Sequence, residues 1–146
     1  MKYFTTDTHF GHPLVSEIGL VAGRDRAFPE EQAGACAEPV QVVQGGATRA
    51  ESAKNGVLAA HGELVAVHDA ARPFVSQAVI TAALEAAAAC GAAAPAVPVK
   101  DTVKRAVRGD GKTVPEHCMV TDTPDRSTLY AVQTPQCFDR AAYLAA

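Results

Sequence analysis

Val40-Gln41-Val42-Val43-Gln44-Gly45-Gly46-Ala47-Thr48-Arg49-Ala50-Glu51-Ser52 reads as a strand, a sharp turn and the start of a helix in immediate succession. The β-branched run Val40 to Val43 favours extended backbone, and Gly45-Gly46 supplies a backbone free to turn. Thr48 and Glu51 have capping-box spacing: the hydroxyl accepts one orphan amide of the helix start and the carboxylate reaches back to another. That helix should run to about His61 and stop at Gly62. Moving outward, Leu64 to Val67 is a compact apolar strand, and Ala70 to Pro73 is a loop because Pro73 disfavours helical geometry at Arg72. Asp69 therefore lies just past a strand's carboxyl end. Ser76 can cap a second helix carrying Val79, Ile80, Ala83, Leu84 and Ala87 on one stripe, with Gly91 closing it. Ala92 to Val99 reads as a buried strand. Strand, helix, strand, helix, strand implies right-handed crossovers and a parallel sheet. The expectation is a βαβαβ unit over residues 40 to 107, with Val40 to Val43, Leu64 to Val67 and Pro95 to Val99 as adjacent strands.

The flanks read differently. Lys2 to Thr8 could form a short strand, whereas Gly19 to Pro39 shows no sustained period, so residues 1–39 are expected to be an atypical and poorly ordered segment before a domain over 40–146. After Lys100, Val103 to Val107, a Gly-Asp-Gly turn at 109 to 111 and a return over Thr113 to Val120 resemble a hairpin leaving the sheet, an arm of about 101–128. Leu129 to Gln133 could re-enter as a strand. Asp139 can cap a last helix that is still running at Ala146, which reads as truncation.

With 146 residues the chain is sized for one domain, but 30 of its positions are alanine, so roughly a quarter of the chain is left as larger apolar side chains. A net charge of -3 supplies no cationic footprint for nucleic acid or an acidic membrane surface. The longest uncharged stretch, Ala86 to Val99, is shorter than the roughly 20 residues a membrane helix needs and is broken by Gly91, Pro95 and Pro98. With no apolar leader either, the expected location is the cytoplasm. Cys36, Cys90, Cys118 and Cys137 form no Cys-x-x-Cys pair, which argues for reduced thiols over a zinc site or a disulfide scaffold.

In an open α/β sheet, ligands bind beyond the carboxyl ends of the strands. Three loops are expected there: Gly45 to Arg49, His68 to Pro73 and Lys100 to Lys104. They bring glycine amides, the carboxylates Asp69 and Asp101, and the cations Arg72, Lys100 and Lys104, with the Ser52 hydroxyl close by. Glycine amides at a helix start suit phosphates or a base edge. On spacing alone, Gly45-Gly46 as a plain turn and Asp69 as a loop cap remain open alternatives.

Together the strings Gly-Gly-Ala-Thr-Arg-Ala-Glu-Ser (45 to 52), Val-His-Asp-Ala-Ala-Arg-Pro-Phe (67 to 74), Pro-Val-Lys-Asp-Thr-Val-Lys-Arg (98 to 105), Asp-Arg (125 to 126) and Thr-Pro-Gln-Cys-Phe (134 to 138) resemble the 2-C-methyl-D-erythritol 4-phosphate cytidylyltransferases of isoprenoid precursor synthesis. The resemblance covers about 40 to 146. It implies a three-layer Rossmann-like nucleotidyltransferase sheet of the α/β class, here incomplete, with a projecting β-hairpin arm. It also implies transfer of CMP from CTP, with Mg2+, to a sugar phosphate. By resemblance, Gly45, Gly46 and Ser52 face the cytosine, the Ala70 backbone the ribose, and Asp69 and Arg72 the sugar phosphate near the magnesium. Thr102 and Arg126 would serve the site of a homodimer partner through the arm, and Thr134 would shape the local pocket. The family's opening glycine-rich loop with its Arg and Lys, and its later Lys segment, have no convincing match. Leu20 to Arg26 is only an echo of that loop, so impaired turnover is expected.

Tyr3 to His12 resembles instead the opening of calcineurin-like metallophosphoesterases, in which Asp7 and His9 would be metal ligands. That alternative needs later Gly-Asp and Gly-Asn-His strings, and the chain has no Gly-Asn-His. A non-catalytic, dimerising piece is the third alternative.

Overall fold

The computed structural model describes residues 3–4, 18–22, 30–31, 33–34, 40–69, 72, 74–108 and 118–146. Tyr3–Phe4 (β1) pairs antiparallel with Ile18–Ala22 (β2), and β2 runs parallel to Val40–Gln44 (β3), Ile18 opposite Val40 through Ala22 opposite Gln44. Periodicity did not single out β2. Its five residues are too few to establish a period, and a parallel partner upstream of Val40 completes the hydrogen bonding that β3 cannot supply alone. Helix α1, Arg49–Ala59, follows β3 and packs on β2 and β3. Gly56 permits this contact, because a Cβ there would meet Val21 Cγ2 at 2.8 Å. The helix ends at the extended Ala60, short of the expected His61.

Leu64–Val67 (β4) forms as expected, followed by helix α2, Gln77–Cys90. Ser76 caps α2 by accepting the Val79 amide, and Gly91 closes it at φ 85, a left-handed conformation suited to glycine. Ile80, Ala83, Leu84 and Ala87 are buried with Cys137, while Val79, also placed on the core stripe by its spacing, is 36% exposed. Burial of Ile80 and Leu84 contributes about 1.5–3 kcal/mol each.

The expected arrangement of adjacent strands is overturned beyond this point. Ala92 to Val99 is two short strands, Ala92–Ala93 (β5) and Ala96–Pro98 (β6), in different sheets. Pro95 and Pro98 lack amide donors, so an unbroken ladder through them is unavailable. β4 and β5 are not neighbours, because Gln136–Asp139 (β10) lies between them, antiparallel to both. β4 and β5 thus run in the same direction with one strand's width between them, and β10 pairs with the facing edges of both. β3 is hydrogen-bonded to neither. A short helix, α3 (Arg140–Ala145), follows β10, capped by Asp139 accepting the Ala142 amide at 2.7 Å.

Two compact units result, residues 1–95 with 134–146, and residues 96–133. The second unit is built from two antiparallel pairs. Arg105–Arg108 (β7) pairs with Cys118–Asp122 (β8), with a register shift between Arg105 and Ala106. The expected turn at 109 to 111 and the expected start of the return at Thr113 lie outside the described residues. Tyr130–Val132 (β9) pairs with β6, so the re-entering segment joins β6 instead of the β4-β10-β5 sheet. Among the described residues, no helix is long and apolar enough to cross a membrane.

Candidate functional site

The Gly45-Gly46 turn is locked to its helix by a small set of bonds. Thr48 Oγ1 accepts the Glu51 amide at 3.1 Å, while the Glu51 carboxylate accepts the Ala47 amide at 2.7 Å. The carboxylate therefore satisfies the residue before the cap, a variation on the expected box. Ser52, 5% exposed, accepts the Gly46 amide at 3.0 Å and donates to the Thr48 carbonyl at 2.9 Å. The Gly46 N–H is thus used within the turn. Glycine at 46 is required by internal packing, since a Cβ here would fall 2.5 Å from the Glu51 Cβ and Cδ.

A second cluster forms where β4 ends. Val67 is opposite Gln136, so continuing that antiparallel register brings Thr134 level with Asp69. The Asp69 amide accordingly donates to Thr134 Oγ1 at 3.2 Å, and the Arg72 amide donates to the Asp69 carbonyl at 2.9 Å. His68, 7% exposed, bonds through Nε2 to the Arg72 carbonyl at 2.9 Å and through Nδ1 to Thr134 Oγ1 at 3.0 Å. Asp69 is half-buried and Arg72 exposed. His68 has no expected role in its string; the signal for it is a polar ring directly after an otherwise apolar strand.

Within the second unit, Arg126 Nη1 donates to the Lys100 carbonyl at 2.7 Å, and Lys104 Nζ donates to Thr123 Oγ1 at 2.8 Å. Asp125 caps the short 3-10 turn Arg126–Thr128. The Ser127 amide, and after it the Ser127 hydroxyl, hold the Asp125 carboxyl below its ordinary range. Thr102 is exposed in this unit. Ala70, Asp7 and His9 lie outside the described residues.

The comparisons with known proteins agree with these strings. The family described as "IspD: 2-C-methyl-D-erythritol 4-phosphate cytidylyltransferase" matches residues 3–146. The chain belongs to the IspD family. It is 48% identical over 133 residues to the "Bifunctional enzyme IspD/IspF" of Anaeromyxobacter dehalogenans, covering 88% of this chain and 33% of that protein. It is 44% identical to the 2-C-methyl-D-erythritol 4-phosphate cytidylyltransferase of Symbiobacterium thermophilum, covering 86% of this chain and 50% of that one. The chain thus spans at most half the length of these two IspD relatives. Among solved structures, the 4-diphosphocytidyl-2C-methyl-D-erythritol synthase of Anaerococcus prevotii aligns with a TM-score of 0.73 at 31% identity, over 90% of this chain and 56% of that one. The α/β, Rossmann-like nucleotidyltransferase class expected for an IspD sequence holds.

Among the described residues, no group of three or more His, Cys, Asp or Glu side chains gathers to form a metal cage. Mg2+ is commonly held by one or two carboxylates, with water and nucleotide phosphates filling the other positions. A single carboxylate at Asp69 fits that pattern.

Proposed function

We propose that this chain binds CTP and 2-C-methyl-D-erythritol 4-phosphate and carries the framework for cytidylyl transfer between them, with weak turnover as a 146-residue polypeptide. In this reaction an oxygen of the sugar phosphate forms a bond to the α-phosphorus of CTP, and the bond from that phosphorus to the departing pyrophosphate breaks. The single observation carrying this reading is the bond between the Asp69 amide and Thr134 Oγ1, which joins two of the family's strings, 65 residues apart, into one site. Gly45, Gly46 and Ser52 form the turn that admits the base, and the resemblance gives the ribose to Ala70. Asp69 and Arg72 orient the sugar phosphate, Arg72 by pairing with its charge. When bound, Mg2+ would be held at Asp69 and would neutralise charge on the phosphates. In this reading turnover is weak because cations stabilise the charge spreading onto pyrophosphate, and the loop-like string Leu20 to Arg26 carries arginines but no Lys. Removing one preorganised stabiliser costs about a hundredfold to a thousandfold.

The second unit supports pairing with another copy. Val107, Met119 and Val120 on the hairpin are each more than half exposed, as are Tyr130 and Val132 on β9. Two-stranded ribbons are marginal alone and leave paired edges open. In the resulting homodimer, Thr102 and Arg126 act on the partner's site.

The test is pyrophosphate release from CTP and 2-C-methyl-D-erythritol 4-phosphate, with CTP affinity measured separately by calorimetry in Mg2+. Measurable CTP binding with release near background is the expected pair of results. Robust release that vanishes in Asp69→Ala overturns the weak-turnover part, and absence of CTP binding by the folded chain overturns the nucleotide part.

A further inference from the structure

Resting on the reading that Asp69 and Arg72 face the sugar phosphate, we propose that His68 is a positioning residue of that site, its imidazole setting the backbone that carries both side chains. The Arg72 carbonyl can only accept, so His68 Nε2 carries the proton of that 2.9 Å bond. In the neutral ring Nδ1 then accepts, and the Thr134 hydroxyl donates to it across 3.0 Å. The lone pairs of the same hydroxyl take the Asp69 amide at 3.2 Å. Together with the Arg72 amide on the Asp69 carbonyl, one arrangement of protons satisfies every member of the network.

The ring is buried, rigid and bonded at both ends, once to the loop that follows its own strand and once to Thr134, which precedes β10. Few side chains can donate at one end and accept at the other across such a span. The network is built on the backbone of Asp69 and Arg72. That matters for a phosphate-binding loop, because a displacement of about 1 Å can cost on the order of a hundredfold in rate.

The test uses the 146-residue chain with three readouts. Long-range proton–nitrogen spectra of the imidazole should show the proton on Nε2. Hydrogen exchange at the Asp69 and Arg72 amides should speed up about tenfold or more in His68→Asn, with Ile80 and Leu84 amides unchanged. His68→Gln, which can still reach the Arg72 carbonyl, should recover part of the protection at Arg72. Calorimetry with 2-C-methyl-D-erythritol 4-phosphate, in the presence of CTP and Mg2+, should show affinity falling about tenfold to a hundredfold in His68→Asn and Thr134→Val. Any of three results overturns the proposal: a proton on Nδ1, unchanged Asp69 and Arg72 exchange in folded His68→Asn, or exchange that rises equally at Ile80 and Leu84. If the parent chain binds no sugar phosphate, the functional reading falls, and the tautomer and exchange data still decide the positioning role.

Discussion

At the scale of single residues, Gly46 and Cys137 carry the most definite consequences. A methyl group on Gly46 would displace Glu51 and break its bond to the Ala47 amide. Gly46→Ala should lower stability by about 1–2 kcal/mol, read from urea midpoints, and weaken CTP binding at the same time. Cys137 is fully buried, and burial pushes its thiol from an ordinary 9.0 up to about 11. The folded state thus favours the neutral thiol, so this contribution is present below pH 9 and disappears as pH rises through about 11. It amounts to about 2–3 kcal/mol. Between pH 9 and 11 the parent should lose stability that Cys137→Ala does not lose, measured as the difference between their unfolding midpoints. The candidate residues Gly46, Ser52, Asp69, Arg72 and Thr134 can be named from the sequence because they fall in recognisable strings. His68 cannot, because its role lies in what it bonds to across the fold.

At the scale of elements, the caps were readable and the strand partners were not. Thr48, Ser76, Gly91 and Asp139 all act where their spacing indicated, since a cap involves only three or four neighbouring residues. Arg140 lies beyond such local reach. Its guanidinium donates from Nε to the Val57 carbonyl at 3.0 Å and from an Nη to the Leu58 carbonyl at 3.2 Å, satisfying orphan acceptors at the end of α1. Arg140→Met should cost about 1–3 kcal/mol and increase hydrogen exchange in the last turn of α1 before α2 is affected. β10 escapes a sequence reading for a similar reason: four residues, three of them in a family string, show no period, and only its neighbours β4 and β5 make it a central strand.

At the scale of the whole molecule, exposed apolar side chains on both ribbons of the second unit call for cover. Sedimentation should show a dimer that weakens in Met119→Lys with Val120→Lys, while folding of the first unit is retained; a folded parent that stays monomeric at high concentration would sink the expectation. The sequence alone determined the α/β class, the two long helices and their caps, the hairpin and the strings of the candidate site. Each of these is written in short-range terms: side-chain period, cap spacing, turn residues or a contiguous motif. Only the tertiary structure decided that β10 runs between β4 and β5, that β2 pairs with β3, and that His68 ties Arg72 to Thr134. Apart from the short His68–Arg72 bond, those facts depend on pairing partners 22 to more than 60 residues apart, chosen by open strand edges and buried polar groups that must find a mate, and no local pattern records that choice.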